Sequence, residues 1–103
     1  MAHPIRAIID NSGNVALPTA GLGLKVKEGS NATMGAAVLV VGTVTVSTTK
    51  VTANSRIFLT SNVDGGTTAA LRVSARSAGV SFTITSLSAL DTSTVAWLIV
   101  EPS

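Results

Sequence analysis

The sequence predicts an all-β fold, an antiparallel β-sandwich or jelly-roll-like small domain with an extended N-terminal arm. Apolar and polar residues alternate with a period of two in several short segments, as they do in half-buried strands. Turn-forming residues separate these segments about every 8–12 residues, and this spacing is typical of sandwiches and jelly rolls. No segment has the 3.6-residue apolar period of an amphipathic helix.

The chain length of 103 residues predicts one domain. Residues 1–23 are expected to form the N-terminal arm, because prolines and glycines interrupt a short apolar patch there. Residues 24–103 are expected to form the sandwich. Termini fray unless something ties them down, so a flexible arm and an arm that docks on a neighbour both remain open.

The first half of the sandwich is predicted from alternation and glycines. Residues 24–27 alternate as a strand does, and a turn follows over 28–33. Gly42 lies inside the strongest strand region, 38–46, and predicts a bend or bulge that lets one run serve two strands. Val44 and Val46 are then expected to point inward.

Turns and short strands continue through the middle of the chain. Two turns, 47–50 and 52–55, flank an inward-facing Val51, and residues 57–60 are predicted to form a short strand. The Asp64-Gly65 dipeptide is a strong signal for a β-hairpin turn.

The second half alternates more clearly. Over residues 71–76 the pattern places Leu71, Val73 and Ala75 on one face, and Arg72, Ser74 and Arg76 on the other. A turn is predicted over 77–79, followed by a strand over 81–85 with Phe82 and Ile84 inward. Residues 88–93 form a loop in which Asp91 is expected to make an Asx turn.

The last strand, residues 94–100, is apolar on both faces. Its two sets of side chains are Val95, Trp97 and Ile99 on one face, and Ala96, Leu98 and Val100 on the other. A strand that is apolar on both faces is buried on both faces. In so small a sandwich, the second face is expected to meet another copy of the chain, so Ala96, Leu98 and Val100 are the predicted oligomer interface.

The overall composition supports the same prediction of a homo-oligomer. Apolar residues make up 46% of the chain and charged residues 12%, with a mean hydropathy of +0.52. Soluble domains carry about 25% charged residues, and a chain of this size buries only about two thirds of its unfolded surface. Some of the apolar surface is therefore expected to be covered by sister copies.

The charges give no indication of a nucleic-acid or membrane partner. The formal net charge is +2, the cations are scattered, and aromatic residues make up 3% of the chain, whereas nucleic-acid binding needs clustered cations or stacking platforms. The longest apolar run is about half of the ~20 residues that a membrane helix requires. No secretory signal is visible, so synthesis in the cytoplasm without a signal peptide is expected.

Catalytic, metal and cofactor sites are not predicted. The chain has no cysteine and one histidine, His3, near its terminus. Its five acids lie in or beside turns or at strand ends, where turn formation and solubility explain them. A hydroxyl without a positioned base is a poor nucleophile, so we expect a protein that is not an enzyme. A carbohydrate-binding module stays open, although Trp97 is expected in the core rather than on an exposed sugar platform.

Three stretches of the sequence resemble a domain that recurs in bacteriophage virion proteins. They are KVKEGSNATMGAAVLVVGTVTVSTTKVTANSRIFLTS from residue 25, LRVSARSAGVSFTITS from residue 71, and DTSTVAWLIVEPS from residue 91. Similar domains occur in head decoration (cement) proteins and at the carboxy-terminal ends of fibre-like structural proteins. The resemblance implies a β-rich module that assembles, typically as a homotrimer, on the outside of a virus particle.

Two functions follow from this resemblance. The leading hypothesis is a capsid decoration protein that binds the major capsid protein on the head surface, because only a short arm precedes the module. Its predicted shell contacts are the arm residues Ile5, Arg6, Ile8 and Ile9. The alternative is a receptor-binding or glycan-binding tip domain of a phage tail fibre.

Overall fold

The computed structural model describes residues 8–103, with side chains from residue 9 onward. Within this range the protein is all-β and has no helix, as the alternation predicts. The strands are β1 (Ile8–Ile9), β2 (Val15–Ala16), β3 (Met34–Val38), β4 (Thr43–Ser47), β5 (Arg56–Val63), β6 (Leu71–Ser77), β7 (Ser81–Ser86) and β8 (Thr94–Val100).

Two antiparallel three-stranded sheets form the sandwich. One has the order β3-β8-β5 and the other β4-β7-β6, while β1 and β2 form a separate hairpin. The chain passes from one sheet to the other at every connection of the sandwich except the one between β6 and β7, which are neighbours in one sheet. This sandwich has fewer strands than a full eight-stranded jelly roll. The two central strands, β7 and β8, are the last two in the sequence.

The core lies between these two central strands. Phe82 on β7 and Trp97 on β8 make an edge-to-face contact, with ring centroids 5.3 Å apart and planes at 77°. The other buried apolar side chains are Leu39, Val51, Ile84, Val95 and Ile99. Half-buried aliphatic residues complete the core, among them the predicted Val44 and Val46. Trp97 is thus a core residue, as expected.

The predicted bend at Gly42 is confirmed. β3 ends at Val38 and β4 begins at Thr43, so the chain passes here from one sheet to the other. Gly42 has a φ of +75°, and a Cβ at this position would lie 2.4 Å from the carbonyl oxygen of Ser88. Only glycine meets both conditions, because it lacks the Cβ.

The predicted hairpin at Asp64-Gly65 is wrong. β5 pairs with β8 and β6 pairs with β7, so residues 64–70 cross between the sheets instead of joining neighbours. The glycines serve close packing here: a Cβ on Gly66 would lie 2.1 Å from the carbonyl oxygen of Leu90. A hairpin signal fixes a local turn, but it does not fix which strands pair.

The predicted alternation in β6 holds only as far as Val73. A β-bulge between Val73 and Ala75 shifts the register, so Ala75 pairs with Thr83 and Arg76 with the fully buried Phe82. Ala75 is therefore exposed on the outer face, and Arg76 belongs to the row that faces the other sheet. An extra residue in a strand reverses the face of every residue after it.

The strand expected over residues 24–27 does not form. This segment makes no ladder, Leu24 is exposed, and the first sandwich strand begins at Met34. The other predicted turns are present, and Val51 between two of them is fully buried. Gly79, with a φ of +72°, lies in the turn between β6 and β7.

Candidate functional site

The outer face of the β3-β8-β5 sheet is an apolar surface. Strand registry places side chains in rows across it: Met34 and Phe58 flank Leu98, while Ala36 and Thr60 flank Ala96. Phe58, on the edge strand β5, is 59% exposed, which is unusual for an aromatic side chain. We call this surface the apolar face; its residues are Met34, Ala36, Val38, Phe58, Thr60, Ala96, Leu98 and Val100.

A groove of about 500 Å³ runs over the apolar face. Small residues such as Ala36 and Ala96 line it together with the larger side chains of Met34, Phe58 and Leu98. The polar residues at its border are Glu28, Thr60 and Asn62. An apolar depression with a few polar groups can accept either an apolar side chain of another protein or a ligand.

The predicted interface residues all lie on the apolar face. Ala96 and Leu98 are half-buried and Val100 is 47% exposed, while their neighbours along the strand are in the core. The two faces of β8 are therefore divided as the sequence predicts. No partner chain tests the contact itself, so the interface remains a prediction.

The predicted shell contacts fall mostly at the edge of the described chain. Ile5 and Arg6 lie outside the described residues, and Ile8 belongs to β1. Ile9 pairs with Val15 in the hairpin and is 69% exposed. It is available for contact, but its partner remains a matter of prediction.

An Asx-type turn closes the β1–β2 hairpin. Oδ1 of Asp10 accepts hydrogen bonds from the backbone N–H groups of Ser12 and Asn14, both at 2.9 Å. The bond from the Asn14 backbone, followed by that from its side chain, lowers the pKa of Asp10. This carboxylate is thus used to hold a turn.

The outer face of the β4-β7-β6 sheet carries hydroxyl groups instead. Oγ1 of Thr85 lies 3.3 Å from that of Thr43 and 2.7 Å from Oγ of Ser74, and the Oγ1 atoms of Thr45 and Thr83 are 3.2 Å apart. Cross-strand hydroxyl pairs of this kind stabilise a sheet without apolar cover. The two outer faces of the sandwich therefore differ sharply in polarity.

Asp91 is a buried carboxylate that joins the loops at one end of the sandwich. Its oxygens accept bonds from the hydroxyls of Ser93 at 2.6 Å and Ser86 at 2.7 Å, and from the backbone N–H of Ala69 at 3.3 Å. The Ser93 hydroxyl, then the Ser86 hydroxyl, lowers the pKa of Asp91 to about 2. Hydrogen bonds to the ionised form satisfy this group, so its role is structural.

A second carboxylate secures the end of β8. Glu101 accepts hydrogen bonds from the hydroxyls of Ser55 and Thr52, the latter at 2.6 Å. These two bonds, in that order, lower the pKa of Glu101, and the guanidinium groups of Arg56 and Arg76 contribute. Arg76 also donates to the carbonyl oxygen of Ser55 at 2.8 Å. The bulge in β6 makes this contact possible.

A third surface is cationic and lies where β3 begins and β4 ends. Lys27 and Lys50 line a shallow concavity of about 390 Å³ together with Glu28, Ser30 and Asn31. The sequence pattern does not indicate this site, because Lys27 and Lys50 lie 23 positions apart. The sequence predicts the two turns, over residues 28–33 and 47–50, but it does not indicate that they meet in the fold.

Metal and membrane features can be described only for residues 8–103. Among them no cluster of three or more His, Cys, Asp or Glu side chains is placed to hold a metal ion. That same part of the chain has no helix with the length and apolarity needed to span a bilayer.

Comparison with known families identifies the sandwich. Residues 31–100 match the family described as K1 capsule-specific polysaccharide lyase, C-terminal domain. The match covers well over half of the chain, and the chain belongs to this family. This is a phage tail-spike family, so the protein is a bacteriophage structural domain and a component of the virion. The curated proteins contain no match.

The family match bears on both predicted functions. A phage structural protein with a β-sandwich fold is supported in general terms, whereas decoration of the head is not specifically supported. The match is to the C-terminal domain of a lyase, a domain that is typically non-catalytic. It favours the tail-fibre alternative over the capsid-decoration hypothesis.

Proposed function

We propose that this chain is a glycan-recognition domain of a phage tail spike or tail fibre, and that it works as a homotrimer. The observation that carries the proposal is the family match, which relates residues 31–100 to a domain of an enzyme that acts on a capsule polysaccharide. A domain attached to such an enzyme could hold the enzyme on its substrate by binding the polysaccharide surface.

The proposed role is binding without cleavage. Three of the five acids have a structural task, since Asp10, Asp91 and Glu101 each hold a loop or a strand end through hydrogen bonds. A general acid or base needs a pKa near the working pH. The pKa of each of these three groups is instead lowered.

The apolar face is the proposed contact between copies. It carries exposed Val38, Phe58 and Val100 around the half-buried Leu98, and its groove offers room for a side chain of a neighbour. Interfaces between permanently associated subunits are apolar at their centres. With this face covered, the hydroxyl-bearing face of β4-β7-β6 and the adjoining loops would point outward.

Head decoration has less support. A decoration protein would stabilise the shell because it binds only the assembled lattice, and the arm residues Ile8 and Ile9 would supply part of that contact. The family match favours a tail location. We therefore propose a position on the tail rather than on the capsid surface.

The test has three parts. Light scattering on the purified protein is expected to give the mass of a trimer, and labelled protein is expected to bind host cells and their extracted surface polysaccharide. Quantitative mass spectrometry of purified virions is expected to find few copies per particle. A copy number that matches the shell lattice, with binding to undecorated shells and none to cells, would establish decoration instead.

A further inference from the structure

Within the described chain, the β1–β2 hairpin pairs with no strand of its own sandwich. The hydrogen bonds seen among residues 9–16 all close inside the hairpin. Ile9 and Val15 are cross-strand neighbours and so share one face, where they are 69% and 73% exposed. A two-stranded hairpin alone is at best marginally stable in water. This exposed apolar pair therefore indicates that the hairpin packs against another surface.

The hairpin stands away from the sandwich that follows it. The radius of gyration is 16.3 Å, whereas a compact chain of 100 residues has about 13 Å. The longest axis of the molecule measures 50 Å and the other two measure 29 and 28 Å. Even the longest strand, β5 with 8 residues, spans only about 26 Å. The segment before β3 therefore accounts for the extra length.

The groove on the apolar face is open in the same structure. Its lining comes from Glu28 and from strands β3, β5 and β8, with no contribution from the described part of the hairpin. The small residues Gly35, Ala36 and Ala96 leave space between larger neighbours, and the resulting volume of about 500 Å³ is typical of pockets that enclose a small ligand. Two aliphatic side chains from one face of a hairpin fit such a space.

A cyclic trimer joins two different surfaces of each copy. A two-fold contact pairs a surface with itself, whereas a three-fold ring joins one surface of each copy to another surface of the next. The hairpin and the groove form such a pair, since each copy has one of each and both are apolar. The same contact repeated around three copies would cover every hairpin and every groove.

The connecting segment is long enough for this contact. Residues 17–33 join β2 to β3 and form no strand in the described chain. Seventeen residues span up to about 56 Å when extended, which exceeds the 29 Å width of the molecule. The neighbouring groove is therefore within reach of the hairpin.

We propose that the β1–β2 hairpin of each copy lies in the groove of the next copy, with Ile9 and Val15 against its apolar face. This inference rests on the proposed homotrimer and names the segment that holds it together. The hairpin precedes residues 31–100, the part of the chain that matches the family. The family match therefore does not include this contact.

Paired cysteine substitutions test the contact, because the chain has no cysteine of its own. Val15→Cys and Thr60→Cys are introduced into one full-length chain, and a short bismaleimide is added to the purified protein. Thr60 is exposed at the border of the groove. We expect a covalent trimer on a denaturing gel, since each hairpin would be linked to the next copy. An internally linked monomer would mean that the hairpin folds onto its own groove, and it would overturn the inference.

Val15→Cys with Thr45→Cys is the matched control. Thr45 is also an exposed threonine on a strand, but it lies on β4 in the other sheet. This pair should give no covalent trimer. Equal yields of covalent trimer from the two pairs would mean non-specific linkage and would overturn the inference, and so would the absence of covalent trimer from both.

Ile9→Thr provides a measurement without cross-linking. Threonine keeps the β-branched shape that suits a strand but removes apolar contact, so the concentration at which the proposed trimer dissociates should rise about tenfold. Leu24→Thr is the control, because Leu24 is an isomer of isoleucine, is 72% exposed, and lies outside both the hairpin and the groove. Sedimentation over a range of concentrations measures both variants. Equal dissociation of the two would contradict the contact.

Failure of this inference differs visibly from failure of the proposed function. If the protein is a trimer that Ile9→Thr leaves unchanged and that gives no covalent trimer, the hairpin contact is wrong and the proposed trimer stands. If the covalent trimer forms but the protein binds neither host cells nor their extracted polysaccharide, the hairpin contact is correct and the proposed glycan recognition is wrong.

Discussion

Gly35 on β3 lies directly opposite Trp97 on β8, and the indole ring occupies the space that a side chain at position 35 would need. A Cβ on Gly35 would lie 2.8 Å from Cζ2 of Trp97. The indole cannot move away freely, because its other contact is the edge-to-face packing with Phe82. The aromatic centre of the core thus depends on a residue without a side chain.

We predict that Gly35→Ala destabilises the fold. The added methyl group must displace a packed indole, and overpacking of this kind costs about 1–3 kcal/mol in the free energy of unfolding. Urea denaturation at fixed protein concentration measures it. Gly23→Ala is the control, since a Cβ there would meet no atom within 4 Å. Equal stability of the two variants would show that Trp97 yields easily.

We predict that Arg76→Ala lowers stability by about 1 kcal/mol, through loss of its bond to the carbonyl oxygen of Ser55. Arg72→Ala should change stability by less than about 0.5 kcal/mol, as surface substitutions usually do. The simple alternation of β6 would make these two arginines equivalent. Thermal or urea unfolding of the pair therefore tests the bulge directly, and equal effects would contradict it.

Asp91 should make the domain sensitive to acid. Its folded pKa is depressed from the ordinary 3.8 to about 2, so its contribution is complete above the unfolded value and is lost as pH falls through the folded one. Stability should therefore decrease between those two values. Asp91→Asn should lower the urea midpoint at neutral pH and remove this acid-dependent step.

The control for that experiment is Asp64→Asn. Asp64 is exposed and accepts a bond from the hydroxyl of Ser61 at 2.5 Å, yet it holds no buried loop. This variant should keep both the neutral-pH stability and the acid step. An acid step that survives in Asp91→Asn would assign it to another carboxylate, with Glu101 as the first to examine.

The apolar face predicts a further pair of variants. Leu98→Lys should raise the protein concentration at which the proposed trimer dissociates by about tenfold, which corresponds to ~1.4 kcal/mol. A charge at the centre of an apolar interface loses its water without gaining a partner. Thr45→Lys adds the same charge to an exposed position on the other sheet and should leave the mass unchanged. Sedimentation over a range of concentrations distinguishes them.

The sequence predicts strands well where the side-chain pattern is regular. β8 shows this, because both of its faces are apolar and the division between Trp97 and Leu98 needs only the period of two. Val51 and Gly42 were also predictable, since a single apolar residue between turns and a glycine within an apolar run each have few structural explanations. These features depend on neighbours along the chain.

Features that depend on residues distant in sequence could not be predicted. The bulge at Ser74 has no local sign, so the faces of Ala75 and Arg76 were assigned wrongly. In the sequence, Asp91 looks like an ordinary acid in a surface turn. Only the structure shows that the hydroxyls of Ser86 and Ser93 bond to its buried carboxylate. The meeting of Lys27 with Lys50 requires the tertiary fold. Strand pairing and tertiary contacts, rather than local preference, determine all three.

The strand order has a consequence for biosynthesis. β3 and β5 hydrogen-bond to β8 but not to each other, and β4 and β6 meet only through β7. A ribosome that has released the chain as far as residue 80 has delivered four edge strands and neither middle one. The nascent polypeptide therefore has no partial sheet of the sandwich to settle into, and a chain that ends before residue 81 should be left to proteolysis instead of joining a particle.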